Sequence, residues 1–145
     1  MTGRKSNIAL IGMPGSGKST VGVLLAKATG RDFVDTDLLI QRRAGSTLQT
    51  IVDNWGYEAL REEEEQVLLS LTHTDHVIAT GGSVVYSESG MAHLCRSSQV
   101  VFLDVSLQTV RERIGDYSLR GISKRPDQSL EDLFRERHSL YEHYA

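Results

Sequence analysis

The segment "GMPGSGKS", Gly12–Ser19, limits what this chain can fold into more than any other. It satisfies G-x-x-x-x-G-K-[ST] at every fixed position. It also follows a short apolar run, Ile8–Ile11, and opens a helically spaced pattern from about Gly17 to Thr29. That pattern predicts one apolar face made of Val21, Leu24, Leu25 and Ala28. The glycines let successive backbone N–H groups turn inward as an anion nest, and the start of the helix adds its positive end. Gly12, Met13, Pro14, Gly15, Ser16, Gly17, Lys18, Ser19 and Thr20 therefore form a candidate phosphate cradle. Lys18 can reach the β- and γ-phosphates, and the Ser19 hydroxyl can ligate Mg²⁺. A glycine turn that merely starts a helix is the plainer alternative, and the strand-loop-helix setting argues against it. The implied ligand is a nucleoside triphosphate.

Beyond this loop, strands and helices alternate. The pattern predicts a strand at Asp32–Val34, a helix ending at Gly45, and a helix capped by Thr47 with Leu48, Ile51, Val52 and Trp55 on its apolar face. After Gly56, helical spacing resumes through Leu60, Val67, Leu68 and Leu71. "HVIAT" and "QVVFLDV" read as strands, "SLQTVRERI" as a helix capped by Ser106, and Gly115–Ser129 as a mobile loop. A closing helix follows, with Ser129 and Asp132 as its capping pair. Strands separated by helices predict an α/β fold with a parallel sheet covered on both faces. At 145 residues, one domain spanning 1–145 is expected.

Charge and composition exclude several classes. A net charge of −3 gives no basic surplus for nucleic acid, so an anionic ligand must be held by local placement of basic groups. No apolar run approaches the roughly 18 residues of a membrane span, and Met1–Lys5 opens no signal peptide. Cys95 is the only cysteine, which favours a reducing compartment and a core-filling role. The expected setting is cytoplasmic, with no nucleic-acid or membrane partner and a monomeric chain.

Asp35 and Asp37 in "FVDTDLL" lie where the second strand ends, and the carboxyl ends of parallel strands line the ligand crevice. One carboxylate toward a hydrated metal and one toward an acceptor hydroxyl would use that spacing; a simple cap on the next helix explains it equally well. Arg61 lies among glutamates, and Glu62–Glu65 reads as a solvated face with an Arg61–Glu65 pair. Arg137 in "RERH" reads equally as a solvated helix face, and the five histidines show no metal-ligand spacing.

Six motifs in order, "GMPGSGKST", "FVDTD", "YEALREEE", "ATGGS", "RIGDYSLRG" and "RERHSLYE", resemble the shikimate kinase family over nearly the whole chain. The resemblance implies a three-layer P-loop NTPase fold of the nucleoside-monophosphate-kinase kind, and transfer of the ATP γ-phosphoryl to the 3-hydroxyl of shikimate, on the route to chorismate and the aromatic amino acids. ATP and Mg²⁺ are the implied cofactors. Lys18, Asp37 and Arg120 would be catalytic, with Arg120 as the arginine of a lid at about 115–129. Asp35 would orient water on Mg²⁺ beside Ser19, and Arg113 would stack on adenine. Asp37, Arg61, Gly81, Gly82, Ser83 and Arg137 would bind shikimate. Arg61 and Arg137 would hold its carboxylate, and Glu64 would brace Arg61.

The chain departs from the family pattern at three points. Ser83 stands where a third glycine is usual, and the loop reads "LRGISKRPDQ". The family also continues past the position of Ala145 into a last strand and helix, giving a five-stranded sheet when complete. Arg125 competes with Arg120 as the lid arginine, and Asp104, ending "VVFLD", competes with Asp35 as the metal carboxylate. The competing activities are a kinase for another small hydroxy acid, such as gluconate, and a nucleotide-binding module without transfer activity.

Overall fold

A computed structural model describes residues 5–118 and 123–145. Four strands, β1 (Asn7–Ile11), β2 (Asp32–Asp35), β3 (His76–Ala79) and β4 (Ser98–Phe102), form a parallel sheet in the order β2-β3-β1-β4. Alternate residues of β1 face opposite layers. Ile8 and Leu10 pack with Ala26, Phe33 and Val77, whereas Ala9 and Ile11 join the larger core with Ile78, Leu68, Met91, Val110 and Leu133. Helix α1 (Lys18–Thr29) covers the first face. The second is covered by α4 (Tyr57–Ser70), α5 (Glu88–Ser97), α6 (Leu107–Ser118) and α7 (Leu130–Tyr144), giving the expected three layers. Helices α2 (Thr36–Ala44) and α3 (Leu48–Trp55) form a side cluster with α4 through Ile40, Ile51, Leu60 and Val67.

Capping follows the sequence. Thr47 accepts from Thr50 N, Ser106 from Thr109 N and Ser129 from Asp132 N. Three expectations need correction. On α1, Val21 and Leu24 are 39% and 63% exposed, and the buried positions are Lys18, Gly22 and Ala26. The small residues decide this: a Cβ on Gly22 would lie 2.6 Å from the Phe33 ring, so only a bare face approaches the sheet this closely. Trp55, expected on the apolar face of α3, is 66% exposed. The loop expected from Gly115 starts later, because α6 runs on to Ser118 behind the buried Ile114. Among the described residues, the sheet has four strands.

Candidate active site

The crevice opens at the carboxyl ends of β1, β2 and β3, which are cross-tied. Thr80 Oγ1 donates to Leu10 O at 2.8 Å, and Gly81 N donates to Thr36 Oγ1 at 3.2 Å. In the loop after β1, Gly17 caps α1 in the left-handed conformation, φ 99°, which a residue with a side chain adopts only at a cost. Lys18 is buried, and its Nζ donates to Gly12 O at 2.6 Å and Met13 O at 2.9 Å, fixing the curve of the loop. Burial pulls the Lys18 ammonium down to about 8, against the opposing pull of Asp37. Arg113 lies against the same loop, donating to Gly15 O at 3.1 Å and Ser16 O at 3.2 Å.

Asp35 bonds in two directions. Oδ1 caps α2 by accepting from Asp37 N at 2.9 Å, and Oδ2 accepts from Ser19 Oγ at 2.9 Å. A hydroxyl and a carboxylate brought together at the loop edge are the hard oxygen donors that Mg²⁺ prefers, so these residues fit that ion. Asp104 instead sits 3.2 Å from His138 Nε2 and does not line the cavity. Asp37 faces inward. Burial and the nearby Asp35 push its carboxyl up to about 6, while Lys18 opposes the shift.

One cavity of about 360 Å³ joins the phosphate loop to the far side of the crevice. Pro14, Gly15, Gly17, Lys18, Ser19 and Thr20 line one end; Asp37, Gly81, Gly82, Ser83, Ser123 and Arg137 line the other. The two glycines make room for side chains. A Cβ on Gly81 would fall 2.5 Å from Glu64 Oε2 and 3.1 Å from Asp37 Oδ1, and one on Gly82 would fall 2.8 Å from Arg137 Nη1 and Pro14 Cδ.

Arg137 is 1% exposed, not on a solvated face, and its Nη2 donates to the Ser123 carbonyl at 2.6 Å. Arg61 reaches the same carbonyl through Nη2 at 3.3 Å, and its Nε donates to Ser123 Oγ at 2.9 Å. It does not line the cavity itself. Both guanidinium groups lie over the Tyr86 ring, at 3.8 Å for Arg61 and 5.5 Å for Arg137, and Tyr57 lies 4.9 Å from Arg61. Electron-rich ring faces help hold two like charges side by side.

The expected brace from Glu64 to Arg61 is not formed. Glu64 is buried, and its Oε1 accepts from the Ser83 hydroxyl, the group found where the family has a third glycine. Burial pushes the Glu64 carboxyl up to about 7; the Ser83 hydrogen bond opposes this and Asp37 adds to it. Its Oε2 and Arg137 Nε have no hydrogen-bond partner among the described residues. The glutamate run is thus not a uniform solvated face. Glu63 pairs with Arg43 and Glu65 accepts from Ser87, so the Arg61–Glu65 pair does not form. Of the two candidate lid arginines, Arg125 pairs with Glu136 at 3.7 Å and Arg120 lies outside the described residues.

Sequence reasoning missed Ser123, Tyr86 and Tyr141. Tyr141 is fully buried, and its hydroxyl donates to Gly82 O at 2.5 Å, tying α7 to the loop after β3. Burial pushes that phenol well above its ordinary value. Nothing local in the sequence marks these residues, because each acts on a partner distant in the chain.

A phosphate loop on a three-layer parallel sheet, sharing one cavity with a half-buried aspartate and a buried guanidinium, defines a P-loop kinase for small molecules. Comparison with known proteins narrows this. The sequence model for shikimate kinase matches residues 14–145. The shikimate kinase of Paracidovorax citrulli (strain AAC00-1) is 38% identical over 150 residues, covering 100% of this chain and 82% of the relative. Among solved structures, a shikimate kinase from Acinetobacter baumannii in complex with shikimate superposes with a TM-score of 0.84 at 32% identity, covering 97% of this chain and 80% of that one. The shikimate kinase of Aquifex aeolicus vf5 gives 0.78 at 34% identity, covering 94% and 82%. This chain belongs to the shikimate kinase family.

Proposed function

We propose that the chain transfers the γ-phosphoryl group of ATP to the 3-hydroxyl of shikimate, giving ADP and 3-phosphoshikimate on the route to chorismate and the aromatic amino acids. It acts as one P-loop kinase domain, in the cytoplasm and as a monomer. The observation that carries the reading is the convergence of Arg61 and Arg137 on a single oxygen, 3.3 and 2.6 Å away, beside the cavity that the phosphate loop closes. Two converging planar forks suit a carboxylate, which lysines would hold only as point charges.

In this assignment, Arg61 and Arg137 fix the acid end of the substrate, and Asp37 holds the attacking hydroxyl. The hydroxyl oxygen bonds to the γ-phosphorus as the bond to the bridging oxygen of ADP breaks, and Asp37 receives the hydroxyl proton. With its carboxyl near 6, Asp37 is mostly ionised at neutral pH and can accept that proton. Lys18 and the N–H groups of the loop neutralise charge on the moving phosphoryl. Mg²⁺, held by Ser19 and through water by Asp35, supplies further charge neutralisation when bound. Arg113, from its place against the loop backbone, is the residue assigned to the adenine.

ADP release from MgATP, measured with and without shikimate, tests the reading. Stimulation by shikimate and not by gluconate is the expected result. Stimulation by gluconate alone makes this a different acid kinase; stimulation by neither makes it a nucleotide-binding module.

A further inference from the structure

Ser123 is the meeting point of the acid end. Although it lies in the stretch that reads as loop, it is 2% exposed. Its hydroxyl donates to Tyr57 O at 3.0 Å while accepting from Arg61 Nε, and its carbonyl accepts from both Arg61 and Arg137. A backbone carbonyl that draws two guanidinium groups presents them with one neutral oxygen where an acid would present a charged one. The same N–H donors cannot serve both fully.

We propose that Ser123 is a positioning residue whose carbonyl stands in for the carboxylate of the acid substrate, and that acid binding exchanges one for the other. This rests on the assignment of Arg61 and Arg137 to the acid. In the free chain, Ser123 keeps the two positive groups paired, facing one point, and supported on Tyr86. A carboxylate then displaces the weaker neutral acceptor, because a charged acceptor makes the stronger hydrogen bonds. Exchange also frees the chain just before α7 from its ties to α4. Acid binding is therefore opposed by the cost of releasing Ser123, and a ligand shifts such an equilibrium only by its differential affinity for the two arrangements.

The sign of one substitution separates this role from simple support. Ser123→Ala removes the acceptor for Arg61 Nε and the donor to Tyr57 O, so it destabilises only the acid-free arrangement. Calorimetric titration with shikimate should show binding about three- to tenfold tighter in Ser123→Ala than in the wild type. KM for shikimate should fall by a similar factor, and Ser123→Thr, which keeps the hydroxyl, should restore wild-type affinity. The neutral methyl ester of shikimate should gain nothing from the substitution. Unchanged or weaker shikimate binding in Ser123→Ala, or an equal gain for the ester, overturns the proposal. A wild-type chain that binds no shikimate overturns the acid assignment instead. Should Ser123→Ala not fold, hydrogen exchange of wild-type residues 123–129 decides: the exchange proposal requires faster exchange with shikimate, and equal or slower exchange overturns it.

Discussion

The two ends of the cavity are built differently. The proposed phosphate end is one continuous run, Gly12–Thr20, whose curve Lys18 fixes through Gly12 O and Met13 O. The proposed acid end is assembled from groups far apart in sequence: Ser83 after β3, Ser123, and Arg137 on α7 at the cavity, with Arg61 on α4 and Tyr86 packed beside them. A cradle of backbone groups needs only the right short segment. A cluster of buried and half-buried polar, charged and aromatic side chains needs the whole fold to be correct, so substitutions there disturb binding and packing together.

The largest expected effect breaks the two ends apart. Lys18→Ala should lower kcat by at least about a hundredfold, the range for loss of a preorganised charge-stabilising donor. Shikimate affinity, read by titration, should change less than about threefold. If acid binding collapsed as well, the ends would not be separable.

Arg137→Ala should act the other way round. Truncating one member of a buried charged cluster costs on the order of 2–5 kcal/mol of binding, so KM for shikimate should rise at least about thirtyfold while KM for ATP moves little. Thermal stability should fall too, because Glu64 and Tyr141 lie beside this guanidinium. Arg137→Lys should not restore acid binding, since an ammonium lacks the planar fork. A rise in KM for ATP equal to that for shikimate would count against a carboxylate role.

A smaller effect appears in pH dependence. Glu64 binds its proton more tightly in the folded chain, with its carboxyl raised from 4.5 to about 7. Between those values the unfolded state holds fewer protons than the native one, so stability contributed by this group is present below about 4.5 and is lost as pH rises through about 7. Asp37, raised to about 6, acts in the same direction over a lower window. Melting temperature should therefore fall between pH 5 and 8, and Glu64→Gln should flatten that slope without removing the share due to Asp37. An unchanged slope would mean that Glu64 titrates like an exposed carboxylate.

The comparison also explains what could be read in the sequence. The phosphate loop, an aspartate cap after the second strand, the alternation of strands and helices and the helix caps at Thr47, Ser106 and Ser129 are legible, because each is a local rule written in neighbouring residues. The large apolar side chains of α1 point to the wrong face, because Gly22 and Ala26 are buried for being small. The resemblance implies a Glu64 brace on Arg61, yet the Ser83 hydroxyl, after β3, takes that carboxylate instead. Ser123 reads as loop because Gly, Ser, Lys and Pro surround it, and its partners Arg137 and Arg61 are 14 and 62 residues away.

Trp55 should show the smallest effect, and it tests where the acid end stops. Its place in the helical pattern of α3 predicts burial with Ile51, but the side cluster is filled by Ile40, Ile51, Leu60 and Val67 before Trp55 is reached. Gly56 then turns the chain into α4, which leaves the indole 66% exposed. An exposed side chain outside the core and the cavity contributes within about 0.5 kcal/mol, so Trp55→Ser should leave the melting temperature and both KM values nearly unchanged. Ile51→Ala on the same helix should cost about 2–5 kcal/mol, the usual range for truncating a buried aliphatic side chain. It should also weaken shikimate binding, because Ile51 packs α3 against the helix that carries Arg61. A large loss at Trp55 instead would place the working boundary of the acid end beyond the cluster that now closes it.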